Sequence, residues 1–175
     1  MNIFLMGKAG AGKDTVADVL QTMYGYQTIA LADNIRDEYE RFFPGQKART
    51  DRSKLQEIGE TYKKIYGTDV WVRLTVDEIV NEYDNYVVTD GRHQIEYDKF
   101  VTELHYLPFT VTCPEEIRHA RLLKRDGTLQ EAALKKECQE LWTADTNIVD
   151  NSGTFEELRT TINNLMKTLL YRRNS

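Results

Sequence analysis

The sequence predicts an α/β fold with three layers, α/β/α, built on a five-stranded parallel sheet. Three observations predict this fold. Short apolar stretches typical of strands alternate with longer stretches that carry apolar residues at helical spacing, and helical crossovers make successive strands parallel. A glycine-rich turn joins the first strand to the first helix. The 175 residues contain no repeat or linker, which indicates one domain over residues 1–175.

Each predicted element follows a local signal. The first helix places Val16, Val19 and Leu20 on one face, and Pro44 ends the second helix. Gly67 and Gly127 separate neighbouring helices. The predicted strands span residues 2–6, 27–31, 86–89, 104–112 and 147–149. The predicted helices span residues 13–23, 33–43, 54–66, 70–83, 115–125, 128–142 and 154–172, with a short helix after an Asp90-Gly91-Arg92 turn.

Composition and charge exclude several classes of function. Twenty-three Lys and Arg against 28 Asp and Glu give a net charge of -5, which disfavours a nucleic acid polymer as partner. No apolar run is long enough to cross a bilayer, and the first residues do not resemble a secretory signal. Two cysteines and three scattered histidines predict neither a disulfide framework nor a metal site of those residues. We therefore expect a cytoplasmic protein that has no contact with a membrane.

The strongest motif is the segment from Gly7 to Lys13, which matches G-x-x-x-x-G-K. We call residues 7–13 the phosphate loop. It lies between a predicted strand and a predicted helix, where inward-pointing N–H groups and the helix N-terminus attract phosphate. Lys13 is expected to contact the β and γ phosphates of ATP. The predicted ATP-binding residues are Gly7, Ala9, Gly10, Ala11, Gly12, Lys13, Asp14 and Thr15.

Asp14 departs from the usual pattern, in which Ser or Thr follows the lysine and binds Mg²⁺. A carboxylate is also a hard oxygen ligand, so Asp14 is a candidate ligand of Mg²⁺. Its alternative role is to cap the helix. Thr15 is the second candidate. Asp90 is the third, because it follows a buried strand whose carboxyl end should face the phosphates. Its alternative role is that of a turn residue before Gly91.

Several segments taken together resemble the deoxynucleoside monophosphate kinases of the phage type. Asp after the loop lysine is common in that family. In the segment at 90–96, Asp90, Arg92 and Glu96 match the family pattern, while Gly91, His93 and Ile95 depart from it. The matching segments are GKAGAGKDT at 7–15, LADNIR at 31–36, LQEIGE at 55–60, DVWV at 69–72 and DGRHQIE at 90–96.

The resemblance implies a fold of the P-loop kinase type, with a small acceptor-binding insertion at about 33–83 and a lid at about 118–142. It implies transfer of the γ-phosphoryl group of ATP-Mg²⁺ to a (deoxy)nucleoside monophosphate, giving the diphosphate and ADP. The same superfamily includes dephospho-CoA kinase, phosphomevalonate kinase and adenylate kinase. A kinase of a non-nucleotide phosphate, such as a coenzyme precursor, and a non-catalytic nucleotide-binding module therefore remain alternatives.

The candidate acceptor residues are Asp33, Arg36, Arg52, Trp71, Asp90 and Arg92. The arginines suit an acceptor phosphate because a guanidinium matches its geometry. Asp33 is alternatively a helix cap, and Trp71 is expected to stack on a base unless it belongs to the core.

Arg118, Arg121 and Arg125 share one helix face. Arg121 and Arg125 are expected to neutralise the negative charge of the transferring phosphoryl group. The alternative is that this charged face is only solvated. The predicted catalytic residues are thus Lys13, Arg92, Arg121 and Arg125, the partners are small-molecule nucleotides, and a homodimer stays open.

Overall fold

The computed structural model describes residues 1–46, 51–79, 85–127 and 146–174. Within them, a five-stranded sheet has the order β2-β3-β1-β4-β5, and each pair of neighbours is parallel. This sheet confirms the predicted fold class. The strands are β1 Ile3–Met6, β2 Gln27–Ile29, β3 Tyr86–Gly91, β4 Leu107–Thr112 and β5 Asn147–Asp150.

Helices connect these strands. In the described residues, no helix is both long enough and apolar enough to span a membrane. The helices are α1 Lys13–Tyr24, α2 Leu31–Phe42, α3 Arg52–Tyr66, α4 Val70–Glu78, α5 Gln94–Tyr97, α6 Glu115–Asp126 and α7 Phe155–Asn174, with a π-helical turn at Asp98–Glu103 after α5.

The central strand β1 divides the core between the two faces of the sheet. Ile3 and Leu5 are buried against residues of α1 and α7, whereas Phe4 and Met6 are buried on the opposite face with Phe100 of the π-helical turn. Alternate side chains of a strand point to opposite faces. A strand that is apolar at every position is therefore buried on both sides, which gives the three layers.

Strand β3 continues two residues past its predicted end at Thr89 and includes Gly91, so the alternative role of Asp90 as a turn residue does not apply. Gly91 lies opposite Met6 in the parallel register. A Cβ atom at Gly91 would stand 2.2 Å from the Phe4 ring. The absence of a side chain lets the end of β3 pass directly over this ring, and the strand carries Asp90 with it.

Some predicted boundaries move because of distant contacts. Helix α2 begins at Leu31, two residues before the prediction, since carboxylates from Asp33 and Asp90 accept the first N–H groups. Strand β4 begins at Leu107 and not at residue 104, because the π-helical turn and a positive φ at His105 precede it. The predicted helix at 128–142 and the end of that at 70–83 lie outside the described residues.

Candidate functional site

The phosphate loop follows β1 at the carboxyl end of the sheet and leads directly into α1. Strands β3 and β4 flank β1, so the segments that follow all three strands meet at this edge. Such an edge, where crossovers leave in both directions, is where parallel α/β sheets bind ligands. The predicted position of the loop is therefore confirmed.

Gly10 and Gly12 are required by the conformation and the packing of the loop. Their φ angles are 80° and 93°, in the left-handed region that side chains disfavour. A Cβ atom on Gly10 would stand 2.8 Å from the carbonyl oxygen of Arg118, and one on Gly12 would stand 2.1 Å from Nδ2 of Asn151. The loop thus lies directly against α6 and the segment after β5.

Lys13 is the first residue of α1, and its Nζ donates a hydrogen bond of 2.6 Å to the carbonyl oxygen of Gly7. The ammonium group therefore reaches back to the first residue of the loop. The predicted contact of Lys13 with the β and γ phosphates stays a prediction.

Arg118 and Arg121 of α6 contact the loop. Arg118 is buried, with 4% of its surface exposed, and its Nη1 donates to the carbonyl oxygen of Ala9 at 2.6 Å. Arg121 donates from Nη1 to the carbonyl oxygen of Ala11 at 3.4 Å and from Nη2 to that of Asn151 at 3.0 Å. Arg125 lies exposed in the last turn of α6. The sequence favoured Arg121 and Arg125, and the structure adds Arg118 to the residues that contact the loop.

Asn151 is a residue of the site that sequence reasoning missed. It follows β5, and its backbone N–H donates to the carbonyl oxygen of Thr112 at 2.9 Å. Its side chain is buried, and Nδ2 donates to the carbonyl oxygen of Ala11 at 2.8 Å. The only signal in the sequence is its place two residues after a predicted strand, at the sheet edge where site residues are expected.

A cavity of about 180 Å³ opens on one side of the loop. We call it the α7 cavity, because α7 and the segment before it form one wall. Thr15 lies here, on the first turn of α1. The cavity is lined by Gly12, Thr15, Arg121, Asn151, Gly153, Phe155 and Leu158.

A second cleft of about 140 Å³ opens on the other side of α1. We call it the α2 cleft, and its polar character comes from three carboxylates and two threonines. Asp14 lies here, so Asp14 and Thr15 line different spaces. The cleft is lined by Asp14, Ala17, Asp18, Thr28, Ile29, Ala30, Asp33 and Thr89. Among the described residues, no three His, Cys, Asp or Glu side chains converge tightly enough to hold a metal ion without other ligands.

Asp90 joins the end of β3 to the start of α2. Its Oδ1 accepts from the N–H of Leu31 at 2.7 Å, and its Oδ2 accepts from that of Ala32 at 3.0 Å. Burial raises the pKa of Asp90, and the two N–H bonds oppose that rise. Both oxygens of this candidate metal ligand are thus engaged by main-chain donors.

Asp33 and Arg36 form an ion pair on α2, and Asp33 Oδ2 also accepts from the N–H of Ala30 at 3.0 Å. The alternative role of Asp33 as a helix cap is therefore present in the structure. Asp33 lines the α2 cleft, and the ion pair links Arg36 to this lining residue.

The segment after β3 is held by Glu96, to which the sequence assigned no role. Its Oε2 accepts from the N–H of Arg92 at 2.6 Å and from that of His93 at 2.9 Å. Burial raises the pKa of Glu96 to about 7, against the effect of these two bonds. The side chain of Arg92 is exposed, so the bonds fix its main chain and leave the guanidinium in solvent.

Trp71 packs inside the α3–α4 hairpin. Only 4% of its surface is exposed, its Nε1 donates to the carbonyl oxygen of Gly59 at 3.1 Å, and its ring stacks on Tyr62 with centroids 5.0 Å apart. Trp71 is therefore a core residue, which was the alternative to base stacking, because a covered ring cannot also stack on a base. Arg52 begins α3, and its side chain lies outside the described residues.

Comparison with solved structures finds proteins of similar fold. TT1252 from Thermus thermophilus is 22% identical with a TM-score of 0.64, and the match covers 97% of each chain. A gluconokinase from Sinorhizobium meliloti 1021 is 16% identical with a TM-score of 0.59, covering 98% of this chain and 96% of that one. A shikimate kinase from Acinetobacter baumannii, in complex with shikimate, is 22% identical with a TM-score of 0.57, covering 95% and 93%.

At these identities the similarity shows the fold, which is of the P-loop kinase type, as predicted. No curated protein matches the sequence. A family model described as an AAA domain matches residues 3–164, from β1 into α7. The match includes the phosphate loop and all five strands of the described sheet. The chain therefore belongs to this AAA domain family.

Proposed function

We propose that the protein transfers the γ-phosphoryl group of ATP to a (deoxy)nucleoside monophosphate, giving the diphosphate and ADP. The observation that carries this proposal is that the first turn of α1, directly after the phosphate loop, contributes Thr15 to the α7 cavity and Asp14 to the separate α2 cleft. A phosphoryl transferase needs two such spaces, one for the donor and one for the acceptor, with the transferred group between them.

The donor is assigned to the phosphate loop and the α7 cavity. The loop N–H groups and Lys13 bind the phosphates, and Thr15, Arg121 and Phe155 surround the nucleoside. Arg121 already faces the loop, and Arg125 is placed one turn further along α6. These two arginines are proposed to neutralise charge on the transferring group.

Mg²⁺ is assigned to Asp14. Its carboxylate is a hard oxygen ligand on the first turn of α1, beside the loop and facing the α2 cleft. Bound with ATP, the ion neutralises phosphate charge during transfer. Asp90 is left out of this set because both its oxygens hold α2. Thr15 lines the α7 cavity on the donor side and stays the second candidate ligand.

The acceptor is assigned to the α2 cleft, with Arg36 and Arg92 as the candidate contacts to its phosphate. In the reaction, an oxygen of the acceptor phosphate forms a bond to the γ-phosphorus while the bond to the β,γ-bridging oxygen breaks. The protein orients both groups and excludes water, without a covalent intermediate. The resemblance to the phage-type kinases supports a nucleotide acceptor. We also expect the enzyme to act in the cytoplasm.

A second candidate function has its own observation. Asp14, Asp18 and Asp33 line the α2 cleft together with Thr28 and Thr89. Carboxylates and hydroxyl groups accept hydrogen bonds from a hydroxyl-rich acceptor better than they attract a phosphate. A kinase of a non-nucleotide acceptor, in keeping with the names of the gluconokinase and the shikimate kinase of similar fold, is therefore the alternative.

The test is ADP release from ATP-Mg²⁺ with a panel of acceptors: ribo- and deoxynucleoside monophosphates, gluconate, shikimate and dephospho-coenzyme A. We expect release above background with at least one nucleoside monophosphate, and with none of the other acceptors. Release only with a non-nucleotide acceptor would establish the second function. ATP binding without release in any reaction would indicate a nucleotide-binding module.

A further inference from the structure

Three side chains hold two alternate carbonyl groups of the phosphate loop from outside. Arg118 donates to the carbonyl oxygen of Ala9. Arg121 and Asn151 both donate to that of Ala11. The donors come from α6 and from the segment after β5, so two distant parts of the chain form hydrogen bonds to the same short loop.

These contacts determine which way the neighbouring N–H groups point. The carbonyl group of Ala11 belongs to the same peptide unit as the N–H of Gly12. The described chain contains no cis peptide bond, and in a trans unit the C=O and N–H groups point in opposite directions. A donor that holds the Ala11 carbonyl toward α6 and β5 therefore turns the Gly12 N–H away from them, toward the inside of the loop.

We propose that Asn151 is a positioning residue for the donor's phosphates, which acts by holding the Ala11 carbonyl and so aiming the Gly12 N–H into the phosphate loop. This role rests on the proposed function only in requiring that a nucleoside triphosphate binds here. The role of Asn151 goes beyond the proposed function because Asn151 need not contact the nucleotide.

The surroundings of Asn151 suit this role. The side chain is 5% exposed, and its main chain is fixed at both polar groups. Its N–H donates to the carbonyl oxygen of Thr112, and its carbonyl oxygen accepts from Arg121 Nη2. The amide is uncharged, so an effect of its removal on phosphate affinity cannot come from a lost positive charge, as it would for Arg118 or Arg121.

Asn151 also lines the α7 cavity, so a direct contact with the base is the competing explanation. Inorganic tripolyphosphate separates the two because it carries the phosphates without a base. A residue that orients the loop changes the affinity for both ligands by the same factor. A residue that contacts only the base changes the affinity for ATP alone.

The experiment measures the Kd of ATP and of tripolyphosphate by calorimetry, in wild type, Asn151→Ala and Asn151→Ser. We expect Asn151→Ala to weaken both ligands by the same factor, roughly five- to twentyfold for one lost hydrogen bond. Serine retains a small donor and should lose less, and it serves as the test variant if the alanine variant does not fold. Kinetically, the KM for ATP should rise while the KM for the acceptor stays constant.

The matched control is Asn163→Ala. Asn163 accepts a hydrogen bond from Tyr24 between α1 and α7, at 2.9 Å, away from the loop. The Asn163→Ala variant should have a lower thermal stability and unchanged Kd values for ATP and tripolyphosphate. Unchanged tripolyphosphate affinity in a folded Asn151 variant would overturn the proposed role, whether or not ATP binding changed. A wild-type protein that bound neither ligand would overturn the proposed function, and this role with it.

Discussion

The two halves of the site use main-chain hydrogen bonds in opposite senses. In the donor half, formed by the phosphate loop and the α7 cavity, cationic and amide side chains donate to main-chain carbonyl groups. Lys13 holds the carbonyl of Gly7, Arg118 that of Ala9, and Asn151 that of Ala11. The carbonyl groups of Ala9 and Ala11 are thus held from outside the loop, which suits a ligand rich in negative charge.

In the acceptor half, formed by the α2 cleft and the segment at 90–96, carboxylates accept from main-chain N–H groups. Asp90 holds those of Leu31 and Ala32, and Glu96 holds those of Arg92 and His93. The N-terminus of α2 would otherwise attract an anion. Its donors are already engaged, so an anionic acceptor has to be recognised by side chains.

Two neighbouring sites at one edge of a sheet can thus differ in the groups available to an anion. In the phosphate loop, main-chain N–H groups are proposed to bind the anion, whereas the N–H groups beside the α2 cleft are already bonded to carboxylates. The activity of the donor half should depend on single cationic side chains. The structure of the acceptor half should depend on the carboxylates that hold α2 and the 90–96 segment in place. Three substitutions test this contrast, from the largest expected effect to the smallest.

Lys13→Ala should reduce turnover by roughly 10²–10³-fold or more, because it removes a charge that stabilises the transferring group. The fold should be retained, since the substitution removes no buried apolar side chain. Turnover is measured by coupled ADP release, and folding by circular dichroism. Lys8→Ala, in the same loop but outside the predicted ATP-binding set, is the control. Near-normal turnover of Lys13→Ala would contradict the assignment of the donor half.

Asp90→Ala should lower the free energy of unfolding by about 2–3 kcal/mol, because it leaves the N–H groups of Leu31 and Ala32 without their acceptor. The KM for the acceptor should rise, and the KM for ATP should not. Asp90→Asn retains one acceptor oxygen and should lose less stability.

Urea denaturation and steady-state kinetics measure these effects, with the exposed Asp37 of α2 replaced by alanine as the control. If Asp90 instead organises Mg²⁺, its replacement should change kcat and the dependence on Mg²⁺ concentration while the urea midpoint stays constant. That outcome would remove the contrast between the two halves.

Glu96→Gln tests how a carboxylate of the acceptor half responds to pH. Burial raises the pKa of Glu96 from an ordinary value near 4.5 to about 7. Between these values the folded state binds more protons than the unfolded state, so this group lowers stability as pH rises through that window. Allowing for its partial exposure, the change should be about 1–2 kcal/mol.

The glutamine variant should lose this part of the pH dependence, because it has no proton to release. The measurement is the urea midpoint from pH 4.5 to pH 8 in both proteins. Identical pH profiles would show that Glu96 has an ordinary pKa and that burial does not dominate its environment.

The sequence determined the α/β order of elements and the phosphate loop. Both depend on neighbours in the chain: apolar runs with strand or helix spacing, and the seven consecutive residues of the motif, which begin after β1 and end on the first residue of α1. The resemblance to phage-type nucleotide kinases, and with it the nucleotide acceptor, stays a prediction.

Only the tertiary structure decided what holds that loop and where α2 begins. Asn151 reaches Ala11 across 140 positions of the chain, Arg118 reaches Ala9 across 109, and Asp90 meets Leu31 across 59. No local pattern shows that an asparagine after β5 will donate to a loop after β1, because the strand order that brings them together is set by the packing of the whole sheet. Distant contacts also placed Trp71 in the core, where its ring stacks on Tyr62 and its N–H donates to the carbonyl oxygen of Gly59.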